Sequence, residues 1–158
     1  PEMLKVVAEY DAGLVIMHSL GIPANMQVNP QYDHVVSDIE KYLLDRTADA
    51  ISHGISKNKI IWDCGIGFGK TLEHNLSLLA HVDALKSHGF PVMYGVSRKS
   101  FIDKLLNIPD VELRKDPTLI IHTYLAMRGA NILRVHDVRE TVMIRDILTK
   151  MGALENQM

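Results

Sequence analysis

The sequence contains little cysteine, few aromatic residues and no excess of charge. Of its 158 residues only Cys64 is a cysteine, and 6% are Phe, Trp or Tyr. A single cysteine cannot form an internal disulfide, which favours a reducing compartment and predicts a cytoplasmic protein. The formal net charge is −2, with acidic and basic residues interspersed along the chain. This balance gives no reason to expect binding to nucleic acid or to a membrane surface.

Long apolar runs are also missing, and no secretory leader is recognisable. No run approaches the ~20 residues that a transmembrane helix needs. Hydrophobic residues still make up 47% of the chain, enough for one domain with a substantial core. Because no repeat or low-complexity linker divides the sequence, we expect a single domain over residues 1–158. Its eight histidines are scattered and do not follow a metal-ligand spacing.

The chain alternates between segments typical of helices and of strands. Short apolar runs predict strands over residues 14–18, 59–63, 91–96 and 131–135. Helical periodicity predicts helices over residues 2–11, from a cap at Asp33 to Gly54, from about Leu72 to Gly89, around Phe101, over about 119–128, and after a cap at Asp137. Proline and glycine predict a long loop over residues 19–30. This alternation implies a parallel sheet, either open and doubly wound or half of a (β/α)8 barrel.

Each predicted strand ends in polar residues. His18 ends the first strand and Asp63 the second, and the segment 97–100 (Ser-Arg-Lys-Ser) follows the third. In the fourth strand Arg134 and His136 are two residues apart and therefore point to the same side. Ligands of α/β proteins bind at the carboxyl ends of the strands, so these side chains predict one shared site.

The segment after Asp63 is rich in glycine but matches no nucleotide-binding motif. Three residues separate Gly65 from Gly69, whereas a P-loop needs four before its Gly-Lys pair. Lys70 occupies the third glycine position of a dinucleotide fingerprint. We interpret the segment as a flexible loop at the rim of the site, with a plain strand-to-helix turn as the alternative.

Charged residues at these positions favour a polar, anionic ligand. A carboxylate at the position of Asp63 is costly to bury without a partner, and a planar edge with two N–H donors would satisfy it. Arg134 and His136, just before a helix, predict an anion site. Lys99 between two serines suits a ligand contact, while Arg98 fits a solvated charge pair equally well. The other histidines, His122 among them, are expected at the surface or an interface.

These blocks, in this order, resemble dihydropteroate synthase, a family of pterin-binding enzymes. The resemblance covers nearly the whole chain and rests on Met17-His18, Gly21-Ile-Pro23 with Met26-Gln27, Asp63 with the glycine segment through Lys70, His74-Asn75, the block from Gly95 to Ser100, and the block from Arg134 to Val138. Related methyltetrahydrofolate-binding enzymes share the barrel but lack the Ser-Arg-Lys-Ser block. The resemblance implies the second half of a (β/α)8 barrel, about strands five to eight.

The resemblance also implies a reaction and roles for individual residues. The family is a transferase of folate biosynthesis that condenses 6-hydroxymethyl-7,8-dihydropterin diphosphate with 4-aminobenzoate, releasing diphosphate and 7,8-dihydropteroate. Diphosphate departs first, and the amine then attacks a pterin-stabilised cation. The residues implied are Met17, Asp63 and Lys99 for the pterin, Arg134 and His136 for diphosphate, and Phe68 and Ser100 for 4-aminobenzoate, with Lys99, Arg134 and His136 as the catalytic groups.

The chain also lacks features that the family needs for activity. The family uses Mg²⁺, whose protein ligand belongs to the first half of the barrel, so no metal ligand is expected here. Activity would need that half, and the full-length family is typically homodimeric. Cys64 replaces a common proline and Leu20 a common glutamine or arginine, which predicts looser rim loops. A non-catalytic pterin- or diphosphate-binding module is the alternative.

Overall fold

The computed structural model describes residues 2–21, 26 and 28–154. Ile22, Pro23 and Gln27, which contribute to the family resemblance, lie outside the described residues, as does part of the predicted loop over 19–30. The strands are β1 (Leu14–Met17), β2 (Ile60–Asp63), β3 (Val92–Tyr94) and β4 (Ile132–Leu133). The helices are α1 (Glu2–Glu9), α2 (Val35–Ser52), α3 (Leu72–Ala80), α4 (Val82–Lys86), α5 (Ser100–Leu106), α6 (Lys115–Met127) and α7 (Val138–Lys150).

The four strands form one parallel sheet in the order β1-β2-β3-β4. All four predicted strands and the alternation with helices are therefore confirmed. Met17, Asp63, Met93 and Ile132 occupy the same register position across the sheet. Side chains alternate between the two faces along a strand, so these four residues share one face.

The opposite face is covered by helices and carries the core. Ile16, Trp62 and Val92 are neighbours in the register on that face, and all three are buried. The indole N–H of Trp62 donates to Thr47 Oγ1 of α2 at 2.8 Å, and its ring stacks on Phe90 at 4.7 Å. An aromatic side chain with a satisfied N–H anchors the sheet to α2.

The face that carries Met17 and Asp63 is covered much less. Val15 in β1 is 43% exposed, and Ile132 in β4 is only partly buried. A parallel sheet is normally covered on both faces. An open inner face is what half of a barrel would present, because the opposite strands of a closed barrel fill its interior.

The predicted cap at Asp33 is wrong, and the predicted cap at Asp137 is confirmed in position only. Helix α2 begins at Val35 after His34, and the carboxylate of Asp38 accepts the N–H groups of Asp33 and His34 at 3.0 and 3.1 Å. The capping group therefore comes from inside the helix, not from Asp33. Asp137 does occupy the N-cap position of α7, but its side chain makes no capping hydrogen bond.

Two predicted helix boundaries also differ from the structure. The helix expected from Leu72 to Gly89 is interrupted at His81, which separates α3 from α4. Helix α6 begins at Lys115, four residues before the predicted start, and includes Pro117. Proline is tolerated in the first turn because the N–H groups there have no helical partner.

Within the described part of the chain, no helix combines the length and the apolar character needed to cross a membrane.

Candidate functional site

The polar residues predicted at the strand ends meet at one rim of the sheet. Asp63 ends β2, and Lys99 lies in the loop after β3, close enough for Asp63 to influence the Lys99 pKa. Arg134, directly after β4, influences the same lysine. His136 is hydrogen-bonded to Ser97 of the loop after β3. The structure thus brings Asp63 and Arg134 near Lys99 and joins His136 to the same loop through Ser97, whereas their roles in one site stay a prediction.

Asp63 is held in place by backbone groups. Its side chain is 3% exposed, and Oδ1 accepts the N–H of Gly65 at 2.8 Å. Its carbonyl accepts the N–H of His18 at 3.1 Å, which extends the β1–β2 pairing beyond the assigned strand. Oδ2 makes no hydrogen bond to any other residue that the structure describes. A buried carboxylate with one satisfied oxygen is suited to bind a ligand with N–H donors.

Several hydrogen bonds hold the glycine segment after Asp63 in this structure, while the flexibility that we expected for it stays a prediction. Lys99 Nζ donates to Ile66 O, Lys70 Nζ donates to Phe68 O at 3.0 Å, and Tyr32 Oη donates to Gly69 O at 2.8 Å. On the other side Gly67 N–H donates to Asn75 Oδ1 at 2.7 Å. Three side-chain donors thus hold the carbonyl groups of Ile66, Phe68 and Gly69. We call residues 65–69 the glycine loop.

Gly65 permits a close approach between the loop and β1. Its φ is 68°, and a Cβ at this position would lie 1.8 Å from the carbonyl oxygen of His18. No side chain fits such a contact, so the loop can lie against the end of β1 only with glycine there.

Lys99 lies between the glycine loop and the charged groups of the rim. Its ammonium is 4.4 Å from the centre of the Phe68 ring, a distance typical of a cation–π contact. Burial lowers the Lys99 pKa to about 8; Asp63 opposes this shift, and Arg134 adds to it. Lys99 therefore stays largely protonated at neutral pH and can release its proton in mildly alkaline solution.

The Arg134 guanidinium packs against Gly95, which directly follows β3. The Arg134 backbone N–H donates to Tyr94 O at 2.9 Å, so it continues the sheet beyond β4. A Cβ at Gly95 would lie 2.5 Å from Arg134 Nη2, so the missing side chain makes room for the guanidinium. Arg134 remains exposed to solvent, where a ligand can reach it.

His136 is oriented by Ser97. A hydrogen bond of 2.9 Å joins His136 Nδ1 to Ser97 Oγ, and Ser97 is 7% exposed. A fixed Nδ1 leaves Nε2 on the other side of the ring for a ligand. Ser97 is a supporting residue to which sequence reasoning assigned no role.

Arg98 forms charge pairs with other side chains and is not directed to the site, which was one of the two environments expected for it. Its guanidinium donates to Asp137 at 2.8 and 3.3 Å and to Glu112 at 2.7 Å. This hydrogen bonding keeps the Asp137 pKa below its ordinary value. Arg98 thus fastens the loop after β3 to the start of α7 and occupies the carboxylate expected to cap that helix.

Lys70 is the main residue of the site that sequence reasoning missed. It is 2% exposed, and its ammonium donates to His18 Nδ1 at 3.1 Å as well as to Phe68 O. Burial lowers the Lys70 pKa to about 8, and burial together with Lys70 lowers the His18 pKa to about 4. The only signal in the sequence was a lysine directly after a glycine segment, which is more commonly a solvent-exposed feature.

The remaining predicted residues lie around the same rim. Met17 shares the sheet face of Asp63 and is partly buried. Ser100 is the exposed first residue of α5, directly after Lys99. Cys64 is fully buried, and burial raises its pKa to about 12, so its thiol is unreactive here. His122, expected at a surface, is buried on α6 and hydrogen-bonded to Thr141 at 3.3 Å.

The described residues bring no three His, Cys, Asp or Glu side chains together as a metal site. A groove of about 840 Å³ lies along β4, α6 and α7, and it is lined by none of Asp63, Lys99, Arg134 and His136. We therefore place the candidate site at the rim, where charge and backbone contacts converge, and not in this groove.

Known proteins share this arrangement over most of the chain. The chain is 40% identical to dihydropteroate synthase of Escherichia coli K12 over 158 residues, which are 99% of this chain and 56% of the relative. It is 42% identical to the Neisseria meningitidis serogroup C enzyme over 132 residues, 83% of this chain and 47% of that one.

Solved structures agree in fold. The Yersinia pestis dihydropteroate synthase with a sulfonamide drug complex superposes with a TM-score of 0.92 at 38% identity, covering 97% of this chain and 56% of that one. The Xanthomonas albilineans enzyme in complex with 7,8-dihydropteroate gives a TM-score of 0.88 at 37% identity, and the match covers 98% of this chain and 56% of that one.

The chain spans about half the length of the curated relatives that it matches. This confirms a partial (β/α)8 barrel, whereas the assignment to strands five to eight stays a prediction. A family model described as pterin binding enzyme matches residues 1–136. By sequence and by fold, the chain belongs to the pterin-binding enzyme family.

Proposed function

We propose that residues 1–158 form one pterin-binding unit that supplies about half of a dihydropteroate synthase. The reaction joins 6-hydroxymethyl-7,8-dihydropterin diphosphate to 4-aminobenzoate and releases diphosphate and 7,8-dihydropteroate. The observation that carries the proposal is the position of the Lys99 ammonium at the rim, where it donates to Ile66 O and lies 4.4 Å from the centre of the Phe68 ring. Asp63 and Arg134 are close enough to influence its pKa. Relatives with this name that are about 40% identical support the reaction class.

Asp63 binds the pterin in this proposal. Its Oδ1 is fixed by Gly65, and the carboxylate accepts the 2-amino and ring N–H groups of the pterin. Met17 shares that sheet face and lies beneath the ring. Lys99, at the edge of the same space, packs on the pterin face and bonds its polar edge. Charge-assisted bonds of this kind are worth about 1.5–3 kcal/mol each and fix the orientation of the ring.

Arg134 and His136 bind the diphosphate. The guanidinium is exposed on Gly95, and the imidazole is oriented by Ser97. Positive charge already in place where the leaving group gains negative charge lowers the barrier to ionisation. As diphosphate departs, the pterin cation forms, and the amine of 4-aminobenzoate attacks it. The amine proton is released as the new C–N bond forms.

Phe68 and Ser100 bind 4-aminobenzoate. The Phe68 ring lies 4.4 Å from the Lys99 ammonium, which supports a role for it as an aromatic wall beside the proposed pterin position. Ser100 follows Lys99 directly and offers a hydroxyl at the exposed start of α5. The X. albilineans dihydropteroate synthase that was solved with 4-aminobenzoic acid is 36% identical to this chain, which supports this substrate.

Magnesium belongs to the proposal only through the family. The described residues bring no three His, Cys, Asp or Glu side chains together for it, and the steps above name only side chains of this chain. When bound, Mg²⁺ would neutralise charge on the diphosphate. The cytoplasmic location and the homodimer expected from the sequence and the resemblance likewise stay proposals.

Reconstitution tests the proposed function. Mixing this chain with the complementary barrel half of the E. coli relative should restore formation of dihydropteroate from the two substrates, and the diphosphate released measures the turnover. The matched control is the same mixture with Lys99→Met, which keeps the side-chain length and removes the charge. Absence of turnover from a folded, associated wild-type pair would contradict the proposal.

A binding module without catalysis is the second candidate, because the chain spans only about half of its relatives. Calorimetry with the pterin diphosphate separates the two. Binding without turnover in the reconstituted pair would favour the module.

A further inference from the structure

Lys70 is a buried cation that the proposed reaction does not use. It is 2% exposed, and no step proposed above involves its ammonium. Burying a charge costs several kcal/mol unless hydrogen bonds compensate for the lost water. Both hydrogen bonds of Lys70 go to groups next to the proposed site, one to His18 at the end of β1 and one to Phe68 O in the glycine loop.

The surroundings of His18 make it a suitable acceptor for the hydrogen bond from Lys70. Its ring packs edge-on against Tyr42 at 4.8 Å and tilted against Tyr32 at 5.9 Å. With its pKa lowered to about 4, the imidazole is neutral at pH 7, so Nδ1 can accept a hydrogen bond from the Lys70 ammonium. The aromatic packing therefore gives Lys70 a rigid anchor on β1.

Two lysines hold the glycine loop from different sides. Lys99 donates to Ile66 O, and it is also the proposed pterin contact. When a ligand takes the Lys99 ammonium, that bond to the loop is weakened or lost. Lys70 is out of reach of the ligand and keeps its bond to Phe68 O. The loop then depends on Lys70, together with Tyr32 and Asn75, for its position.

We propose that Lys70 is a positioning residue for the aromatic acceptor: by fixing Phe68 O to His18 and β1, it holds the Phe68 ring in place as a wall of the 4-aminobenzoate subsite. The inference rests on the proposed function, because it assigns that subsite to Phe68. It concerns a side chain that touches neither substrate.

Kinetics of the Lys70→Met variant in the reconstituted enzyme test the inference. The variant preserves the side-chain length and removes both hydrogen bonds. We expect KM for 4-aminobenzoate to rise about tenfold, the effect of losing one well-placed hydrogen bond, while KM for the pterin diphosphate changes less than about twofold. Lys59→Met is the matched control, because Lys59 also donates to a backbone carbonyl, that of Asp11, away from the rim.

Hydrogen–deuterium exchange provides a readout that does not depend on turnover. In the 158-residue chain, amides of the glycine loop should exchange about tenfold faster in Lys70→Met than in the wild type, while those of α2 stay unchanged. If Lys70→Met does not fold, Lys70→Gln, which retains an N–H donor without the charge, is measured in the same two ways and should show smaller changes of the same kind.

The outcomes separate the two proposals. A rise of both KM values by the same factor, or unchanged KM values with lower stability, would make Lys70 purely structural and overturn the inference. Unchanged exchange in the glycine loop would overturn it as well. A wild-type pair that binds both substrates without turnover would overturn the proposed function instead, and the exchange measurement would then decide whether Lys70 holds the loop.

Discussion

The neighbouring cations Arg98 and Lys99 have different environments. Arg98 adopts a left-handed conformation with φ of 55°, and its side chain turns to Asp137 and Glu112. Lys99 is directed to Ile66 O and the Phe68 ring. Sequence reasoning could not separate the two, because the partners of Arg98 are 14 and 39 residues away along the chain.

Arg98 should support diphosphate binding without touching the diphosphate. Its pairing neutralises Asp137, the residue directly after His136. Removing it in Arg98→Ala leaves a carboxylate beside the anion site, so we expect diphosphate affinity to fall about threefold at low salt and the difference to shrink as salt is added. Calorimetry at two salt concentrations measures this. Arg145→Ala, which breaks an exposed pair with Asp146, is the control and should have no effect on binding.

Asp63→Asn should separate binding from folding. Asparagine retains an oxygen that can accept the Gly65 N–H, so the free energy of unfolding should change little. The charge-assisted bonds to the pterin are lost, and we expect the affinity for the pterin diphosphate to fall by about 1.5–3 kcal/mol. Calorimetry measures the affinity, and fluorescence of Trp62, the single tryptophan, follows unfolding in urea. An equal loss in both quantities would show that Asp63 is a structural group.

Strands were easier to predict than helix boundaries. Apolar runs located all four strands, although β4 is assigned only two of the five predicted residues. Its neighbours Asn131 and Arg134 still donate to β3, so the pairing extends further than the strand assignment. Helix boundaries depend on which side chain reaches the free N–H groups, and either Asp33 or Asp38 could have done so on local spacing alone.

The break between α3 and α4 is another helix boundary that could not be predicted from the sequence. Leu78, Val82 and Leu85 are spaced four and three residues apart across it, so periodicity predicts a single helix. The structure breaks the helix at His81, whose ring nitrogen is hydrogen-bonded to Ser77 O at 2.7 Å. A side chain that bonds a carbonyl of the preceding turn marks the helix end, and histidine at that position carries no clear signal in the sequence.

The approach of the glycine loop to β1 can be tested with two glycines of similar conformation. Gly65 and Gly89 have φ values of 68° and 75°. A Cβ on Gly89 would meet nothing within 4 Å, whereas one on Gly65 would collide with His18 O. Gly89→Ala should therefore cost about 1 kcal/mol of stability, from backbone strain alone. Gly65→Ala should cost more than about 3 kcal/mol or prevent folding. Urea unfolding followed by Trp62 fluorescence compares them; equal losses would mean that the loop is free to move away from β1.

The candidate site was more accessible to sequence reasoning than the architecture of the whole chain. Polar residues at strand ends are informative because all parallel strands point the same way, and this placed Asp63, Lys99, Arg134 and His136 at one rim. Periodicity could not distinguish an open sheet from half of a barrel, since both use the same βα units. The match to structures about twice as long resolved that choice, and it explains the exposed Val15 and the groove beside β4.

Two buried lysines should make stability and ligand binding respond oppositely to alkaline pH. In the folded chain the pKa values of Lys70 and Lys99 are lowered, mainly by burial, to about 8 from an ordinary 10.5. Between pH 8 and 9 the unfolded chain therefore binds more protons than the folded chain, so the free energy of unfolding rises with pH, by on the order of 1 kcal/mol. Above pH 9 the Cys64 thiol, with its pKa raised by burial to about 12 from 9.0, opposes this trend, because only the unfolded chain then releases that proton.

Ligand binding should weaken over the same interval, because Lys99 loses the charge that attracts a polar or anionic ligand. Urea unfolding and calorimetry with the pterin diphosphate at pH 7.5 and 9 measure the two responses on the same sample. The double variant Lys70→Met with Lys99→Met should remove the rise in stability. If stability and affinity fell together between these two pH values, the lysines would be ordinary surface cations. Lys70 would then not lie in the interior, and its hydrogen bond could not hold the glycine loop.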